Sequence, residues 1–501
     1  MDSITSALDG FNSVYWNFAA GFLVIAGLYF GVLTRFVQLR KIPDMFRAVS
    51  EKPEIQQEPA EGSAAPEVAP AQSISAFKAF TISAASRVGT GNVAGVAIAI
   101  TIGGPGAVFW MWMIAILGGA TSFIESTLAQ LWKERNSDGS YRGGPAYYMT
   151  RGLGWRWLAA LFAIAITLTF GFFYNSIQSN SIRDALGGSL NIDTTAFRWI
   201  IAIVLTGLTA SIIFGGLQRI ADFTAKCVPI MAGLYVIIGV VVIILNIGEV
   251  PRVIGDIVGH ALGFKEIAGA TLGNAFIMGL RRGLFSNEAG EGSVPNAAAT
   301  ATVSHPVKQG LVQTLGVYFD TLLVCSITAF IILLDNPVYG DDGAQGVTLT
   351  QTSLGNEVGT WGIHTVTVLI FFLAFSSIIG NTYVAQANIE FFTDSPKVLN
   401  GYRAVVLLFV FLGAIVPLEL VWALGDLMAA TMVFINLIAI VPLGGVAFNL
   451  LRNYIKQQRQ GLDPVFHQDM MPGLKHADCW DGSDPVTWRD GKVVTSVEEV
   501  K

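Results

Sequence analysis

Residues 86–100 read SRVGTGNVAGVAIAI, three glycines with an arginine and an asparagine in a stretch otherwise apolar enough to cross a bilayer. Glycine weakens a helix, and a buried asparagine must be hydrogen-bonded. In hydrocarbon every backbone group is normally used inside a helix, so unwinding one frees N–H and C=O groups for a ligand. The freed N–H groups and the positive end of the following half-helix suit a carboxylate, and the freed carbonyls suit a cation. Gly89, Thr90, Gly91 and Asn92 are therefore the expected carboxylate site, with glycines allowing close approach. Gly95 and Ala99 read instead as small residues for close helix packing. Gln178, in FFYNSIQSNSI, offers an amide oxygen to an ammonium group; the plainer reading is a glutamine at the membrane edge. Ser376 and Ser377, in FFLAFSSIIGN, put two adjacent hydroxyls deep in an apolar segment, oxygen ligands for a hard monovalent cation, unless they simply bond back to their own helix. Arg281, Arg282 and Glu288 are charges in or beside a second interrupted segment, read as a gate on the cytoplasmic side, with Glu288 at that surface and Arg282 snorkelling as the plain alternative. Glu125 is a further intramembrane acid, and Trp110 and Trp112 read as packing or interface residues.

The elements that must position these residues follow from hydropathy. The 501 residues are 52% hydrophobic and 13% charged, against about 25% charged in a soluble domain. Blocks of about 20 apolar residues predict about eleven spans, near 14–37, 76–101, 105–132, 155–178, 197–217, 224–247, 267–285, 306–334, 361–392, 402–420 and 422–451. The first block follows Asp2 and Asp9 and reads as a retained helix, not a signal peptide. Residues 51–75, rich in Pro, Glu and Ala, predict a flexible cytoplasmic linker, and residues 452–501 a short soluble tail. Arg35, Arg40, Lys41, Arg47, Lys133, Arg135, Arg142, Arg151 and Arg156 fall in loops on one side. The positive-inside rule makes that side cytoplasmic, with the N-terminus outside and the C-terminus inside, in a bacterial inner membrane.

Without the first span ten remain, and the interrupted segments 86–100 and 279–293 sit in corresponding positions, five spans apart. Two broken helices in matching places of two five-helix halves, here 76–266 and 267–451, mark a transporter with inverted repeats. Residues 1–50 supply one extra helix and its loop.

The stretch GGPGAVFWMWMIAILG, Gly103 to Gly118, resembles the signature of the alanine/glycine:cation symporters, within the amino acid–polyamine–organocation superfamily. GNVAGVAIAI, GGPAYYM and RRGLFSNEAG are similar to other stretches common in that family, and the resemblance covers Ala76 to Asn449. It implies an all-α polytopic, leucine-transporter-like fold, with broken first and sixth core helices and one added N-terminal helix. It implies sodium-coupled, sometimes proton-coupled, uptake of small neutral amino acids. By resemblance, Gln178, Phe276 and Gly279 join the substrate contacts, and Ser376 and Ser377 hold Na+ with backbone carbonyls near Ser86 and Gly89. Asn381 departs from the family pattern, which often has tryptophan there in members that take alanine or glycine; a smaller amide implies room for a larger polar substrate such as glutamine.

Other classes find little support. No pore-loop repeat suggests a channel, no nucleophile–base pair or metal set suggests an enzyme, and no phosphate-binding loop suggests ATP drive. The three cysteines and five histidines form no metal spacing, and there is no basic, aromatic-laced patch for nucleic acid. The expected partners are an amino acid, Na+ or H+, and the lipid bilayer, with no organic cofactor.

Overall fold

The computed structural model describes residues 2–51, 74–136, 139–265, 271–340, 346–416 and 418–497. Apart from its end residues, the predicted linker at 51–75 lies outside the described residues.

Among the described residues nine helices are long and apolar enough to cross a membrane: Gly10–Leu33 (span 1), Gly106–Leu131 (span 3), Arg156–Leu190 (span 4), Thr195–Ile213 (span 5), Gly216–Leu245 (span 6), Pro306–Leu334 (span 8), Thr360–Ile389 (span 9), Pro396–Gly413 (span 10) and Leu420–Arg459 (span 11). A tenth crossing, span 2, is Ala76–Arg87 followed by Gly91–Gly103, bent by 53°. Span 7 is Leu272–Asn287 followed by Val294–Ala299. Its halves are too short and polar to stand in lipid alone, and it has no need to. A Cβ on Gly279 would meet the Ala107 carbonyl of span 3 at 2.5 Å, and one on Gly91 would meet Phe285 at 3.1 Å. Span 7 is wrapped by spans 2 and 3, so its composition is that of a protein core. Span 1 is the added helix, laid on span 11 through Asn12 Nδ2 to the Ala423 carbonyl (2.8 Å) and Trp16 Nε1 to the Asp426 carbonyl (3.0 Å).

The first break falls at the start of the predicted stretch, and the second falls late in its own. Span 2 unwinds at Val88–Thr90, and Gly91–Gly95 already form a π-helical turn. Span 7 continues through Gly279, Arg281 and Arg282 and breaks only at 288–293, where Gly290 and Gly292 take φ of +88° and +82°. Those left-handed angles are open to glycine and strained for most side chains. Further π-helical turns interrupt span 4 at Thr169–Tyr174 and span 8 at Phe319–Cys325. Such turns are rare, and they recur at functional sites.

Two more differences concern ends. Span 4 is predicted to stop at Gln178 but runs to Leu190, its polar run Ser176, Ser179 and Asn180 bonding carbonyls of Phe409, Val410 and Gly413 beside span 10. The tail is not merely solvated. Phe466 and Trp480 are buried; Trp480 Nε1 donates to the Gln130 carbonyl at 3.1 Å, and Phe466 N–H to the Ser304 carbonyl at 2.9 Å. Lys133 lies 3.8 Å from the Tyr141 ring centroid and 4.8 Å from that of Trp480, and burial there pushes its ammonium down to about 8. The tail thus seals the face that carries the basic loops. On that face Thr302 N–H also bonds the Ile74 carbonyl (2.9 Å), stitching the start of span 2 to the end of span 7.

Candidate functional site

The two breaks face each other in the middle of the bundle. At the first, Thr90 donates both its N–H (3.0 Å) and its hydroxyl (2.6 Å) to Gln178 Oε1, and Gly89 N–H donates to Asn92 Oδ1 (2.9 Å). The side chains of Gln178 and Asn92 therefore satisfy the N–H groups that unwinding frees, a cost that would otherwise oppose the break. Gln178 is buried in the middle of its helix, not at the membrane edge, and its oxygen serves the broken backbone. A Cβ on Gly89 would stand 2.2 Å from Ser377 Oγ, so a larger residue would push that hydroxyl away from the break.

Ser377 Oγ reaches the Leu373 carbonyl (3.1 Å) and, across the bundle, the Val88 carbonyl (3.4 Å). Ser376 Oγ bonds the same Leu373 carbonyl at 2.8 Å. Two hydroxyls and two carbonyls are thereby gathered where span 9 meets the break. One turn on, Ser86 Oγ lies 2.7 Å from Asn381 Oδ1 and 3.0 Å from Glu288 Oε1, while Ser293 Oγ donates to Glu288 Oε2 at 2.6 Å. Glu288 is thus buried between the breaks and is not a surface residue of the cytoplasmic side.

A third group was not foreseen. Asp320, in the π-helical turn of span 8, accepts from Asn92 Nδ2 (2.7 Å), Ser286 Oγ (2.7 Å) and Thr321 Oγ1 (2.9 Å). It ties both broken spans to span 8. Arg87, equally buried, donates to Gln313 Oε1 (2.9 Å) and Ser83 Oγ (2.5 Å). The sequence signal was present in both: an ionisable residue inside an apolar span.

Other expected residues lie elsewhere. Phe276 stacks edge-on against Trp110 (centroids 4.8 Å apart), and Gly279 packs on span 3, so neither joins the central cluster. Arg281 turns to span 1, lying 3.4 Å from the Asn12 carbonyl and over the Trp16 ring. Arg282 forms a buried ion pair with Asp426 at 2.7 Å and covers Trp422. Both arginines therefore sit toward the end of the bundle where span 1 begins, opposite the basic loops and apart from Glu288. Trp422 stacks on Phe285 and Phe285 on Tyr174, each at 4.9 Å. Trp422 also lines a cavity of about 250 Å³ on that end, with Ala94, Ile98, Arg183 and Phe197.

Two broken helices, matched across two five-helix halves and enclosing a polar centre, define a secondary transporter of the leucine-transporter type. The likeness extends to a solved structure, MhsT in complex with L-phenylalanine (TM-score 0.54, 13% identity, 84% of this chain and 97% of that one), which shares the fold. The chain belongs to the sodium:alanine symporter family, whose model matches residues 1–468. It is 47% identical to the amino-acid carrier protein AlsT of Bacillus subtilis, over 96% of this chain and 99% of the relative. It is 44% identical to the probable sodium/glutamine symporter GlnT of the same organism, over 97% and 98%. It is a multi-pass membrane transporter of the sodium-coupled amino acid symport class, not an enzyme.

Proposed function

We propose that the protein carries a small neutral amino acid into the cell with Na+, by alternating access around the break at Val88–Thr90. The observation that carries this reading is the meeting of both ligand chemistries on three consecutive residues. The Val88 carbonyl faces Ser377, and the Thr90 N–H faces Gln178. Ser376, Ser377, the Leu373 and Val88 carbonyls, and backbone oxygens near Ser86 and Gly89 hold the cation. The substrate carboxylate takes the N–H groups of Gly89–Gly91 by displacing the side-chain oxygens of Asn92 and Gln178, and Gln178 is then released toward the ammonium. A shared backbone couples the two ligands, since ordering the loop for one lowers the cost of ordering it for the other. Arg282, Asp426, Trp422 and Phe285 form the gate on the outer side.

The N-terminus lies outside and the tail in the cytoplasm of a bacterial inner membrane, because the basic loops share the tail's face. A cysteine at Asp193 then reacts with an impermeant maleimide in intact cells, and one at Arg135 does not; the reverse pattern inverts the assignment. The family's alanine competes with glutamine as the substrate. Asn381 favours glutamine, being small, buried beside the break and furnished with an amide, and GlnT is the relative that bears this name. Uptake of labelled alanine, glycine and glutamine into proteoliposomes, with sodium, proton or no imposed gradient, tests the reading. Accumulation driven by a proton gradient alone would replace Na+ by H+, and no driven accumulation of any of the three would end the proposal.

Ser377→Ala removes one cation oxygen and keeps the pocket's shape. Loss of a hydrogen-bond-strength contact to a charge is worth about 1.5–3 kcal/mol, so the sodium concentration for half-maximal uptake rises about tenfold or more. Substrate affinity recovers at saturating sodium. Unchanged sodium dependence in a folded variant would move the cation elsewhere.

A further inference from the structure

The buried acids of the bundle outnumber its buried guanidiniums. Glu125, Glu288, Glu291, Asp320 and Asp426 are each at most 5% exposed, and the arginines buried with them are Arg87 and Arg282. Four of these acids are well supplied. Glu125 accepts from Gly290 N–H (3.1 Å) and Asn436 Nδ2 (2.8 Å), Glu288 from Ser86 and Ser293, Asp320 from three side chains, and Asp426 from Arg282. Glu291 is the exception: it is fully buried, and neither oxygen has a hydrogen bond of good geometry. It stands in the second break between the left-handed glycines Gly290 and Gly292. The groups around it are Glu288 from its own segment, Glu125 from span 3, Asp426 from span 11 and the Tyr174 hydroxyl from span 4. Three are acids, and the nearby arginine, Arg282, is held by Asp426. Among the described residues no three such side chains are arranged to hold a metal ion. An unpaired carboxylate in a medium of low dielectric constant is so costly that the group takes up a proton instead.

We propose that Glu291 is a proton-binding site of the transport cycle, protonated while the second break is closed to water and deprotonated when the break opens. On opening, the O–H bond breaks, the proton passes to water, and the carboxylate keeps the electron pair and is solvated. Repulsion from Glu125, Glu288 and Asp426 then holds the break open until a proton returns. This rests on the alternating-access reading above and adds a pH dependence to it, carried by one residue of the RRGLFSNEAGEGS segment that faces neither substrate nor cation.

Infrared spectroscopy of the protein in lipid reads the proton without any transport. The wild-type minus Glu291→Gln difference spectrum should show the carbonyl stretch of a protonated, weakly hydrogen-bonded carboxylic acid at neutral pH. Its absence overturns the proposal, and this outcome does not depend on what the protein carries. Sodium-driven uptake in wild-type protein should fall on going from mildly acid to alkaline pH inside and out, and Glu291→Gln, which mimics the protonated acid in shape, should flatten that profile. A variant that keeps the wild-type profile also overturns it. Glu291→Asp keeps a titratable group and should retain a pH-dependent profile that is displaced, which a purely structural role for the side chain would not produce.

Discussion

Gly91→Val abolishes uptake at every sodium concentration. A Cβ at this position already stands 3.1 Å from Phe285 Cδ1 and 3.2 Å from the Ser286 backbone, and valine adds two methyl groups beyond it. Ser286 cannot yield without loosening its bond to Asp320. The variant therefore separates span 7 from span 2 at the point where substrate is proposed to bind. A sodium titration of uptake in proteoliposomes checks it, with insertion confirmed by size-exclusion chromatography. Raising sodium rescues a weakened cation site but cannot rescue a blocked backbone. Normal transport by this variant would remove the broken-helix account.

Arg282→Met lowers stability by about 3–5 kcal/mol, because it leaves Asp426 buried without its partner. The pair is only 7% exposed on either side chain. Adding Asp426→Leu to the same chain should recover most of that loss, since well-packed apolar replacements of buried ion pairs are often neutral or better. The double variant should nonetheless transport poorly, because the proposed gate loses its charge-controlled latch between spans 7 and 11. Thermal melting followed by fluorescence-detected chromatography separates the cases. Equal melting temperatures for the single and double variants would show that the pair contributes no specific stability.

What could be read beforehand was whatever interrupts hydrophobicity. Gly89–Asn92 stood out because glycine and asparagine have no place in a plain apolar helix, and the break lies within a residue or two of them. Gln178 was misplaced because Asn175, Gln178, Ser179 and Asn180 read together as an end of the membrane. They are instead one continuous helix whose polar groups are consumed by spans 2, 9 and 10. Such satisfaction is a property of neighbours, and hydropathy carries no information about neighbours. For the same reason Arg281 and Arg282 were grouped with Glu288, from which packing separates them. Their order in the chain was plain, but how far span 7 continues before breaking depends on packing against Ala107 and Trp110. Asp320 and Glu291 are acids within membrane-embedded segments, a signal present in the residues but not singled out among the candidates. Their partners, or the want of them, needed the structure.

The buried Trp480 has a bearing on how the molecule is made. Its socket is formed by the end of span 3 and the hairpin that carries Tyr141, both synthesised more than three hundred residues earlier. The spans can thus be threaded into the bilayer while that socket still stands open to water, with Lys133 not yet enclosed. Completion of the face that carries the basic loops waits for the last stretch of chain to leave the ribosome. A transcript truncated after Arg459 would yield a protein with every span in place and an unfinished, apolar surface on that face, a state that proteases and chaperones can tell apart from the finished one.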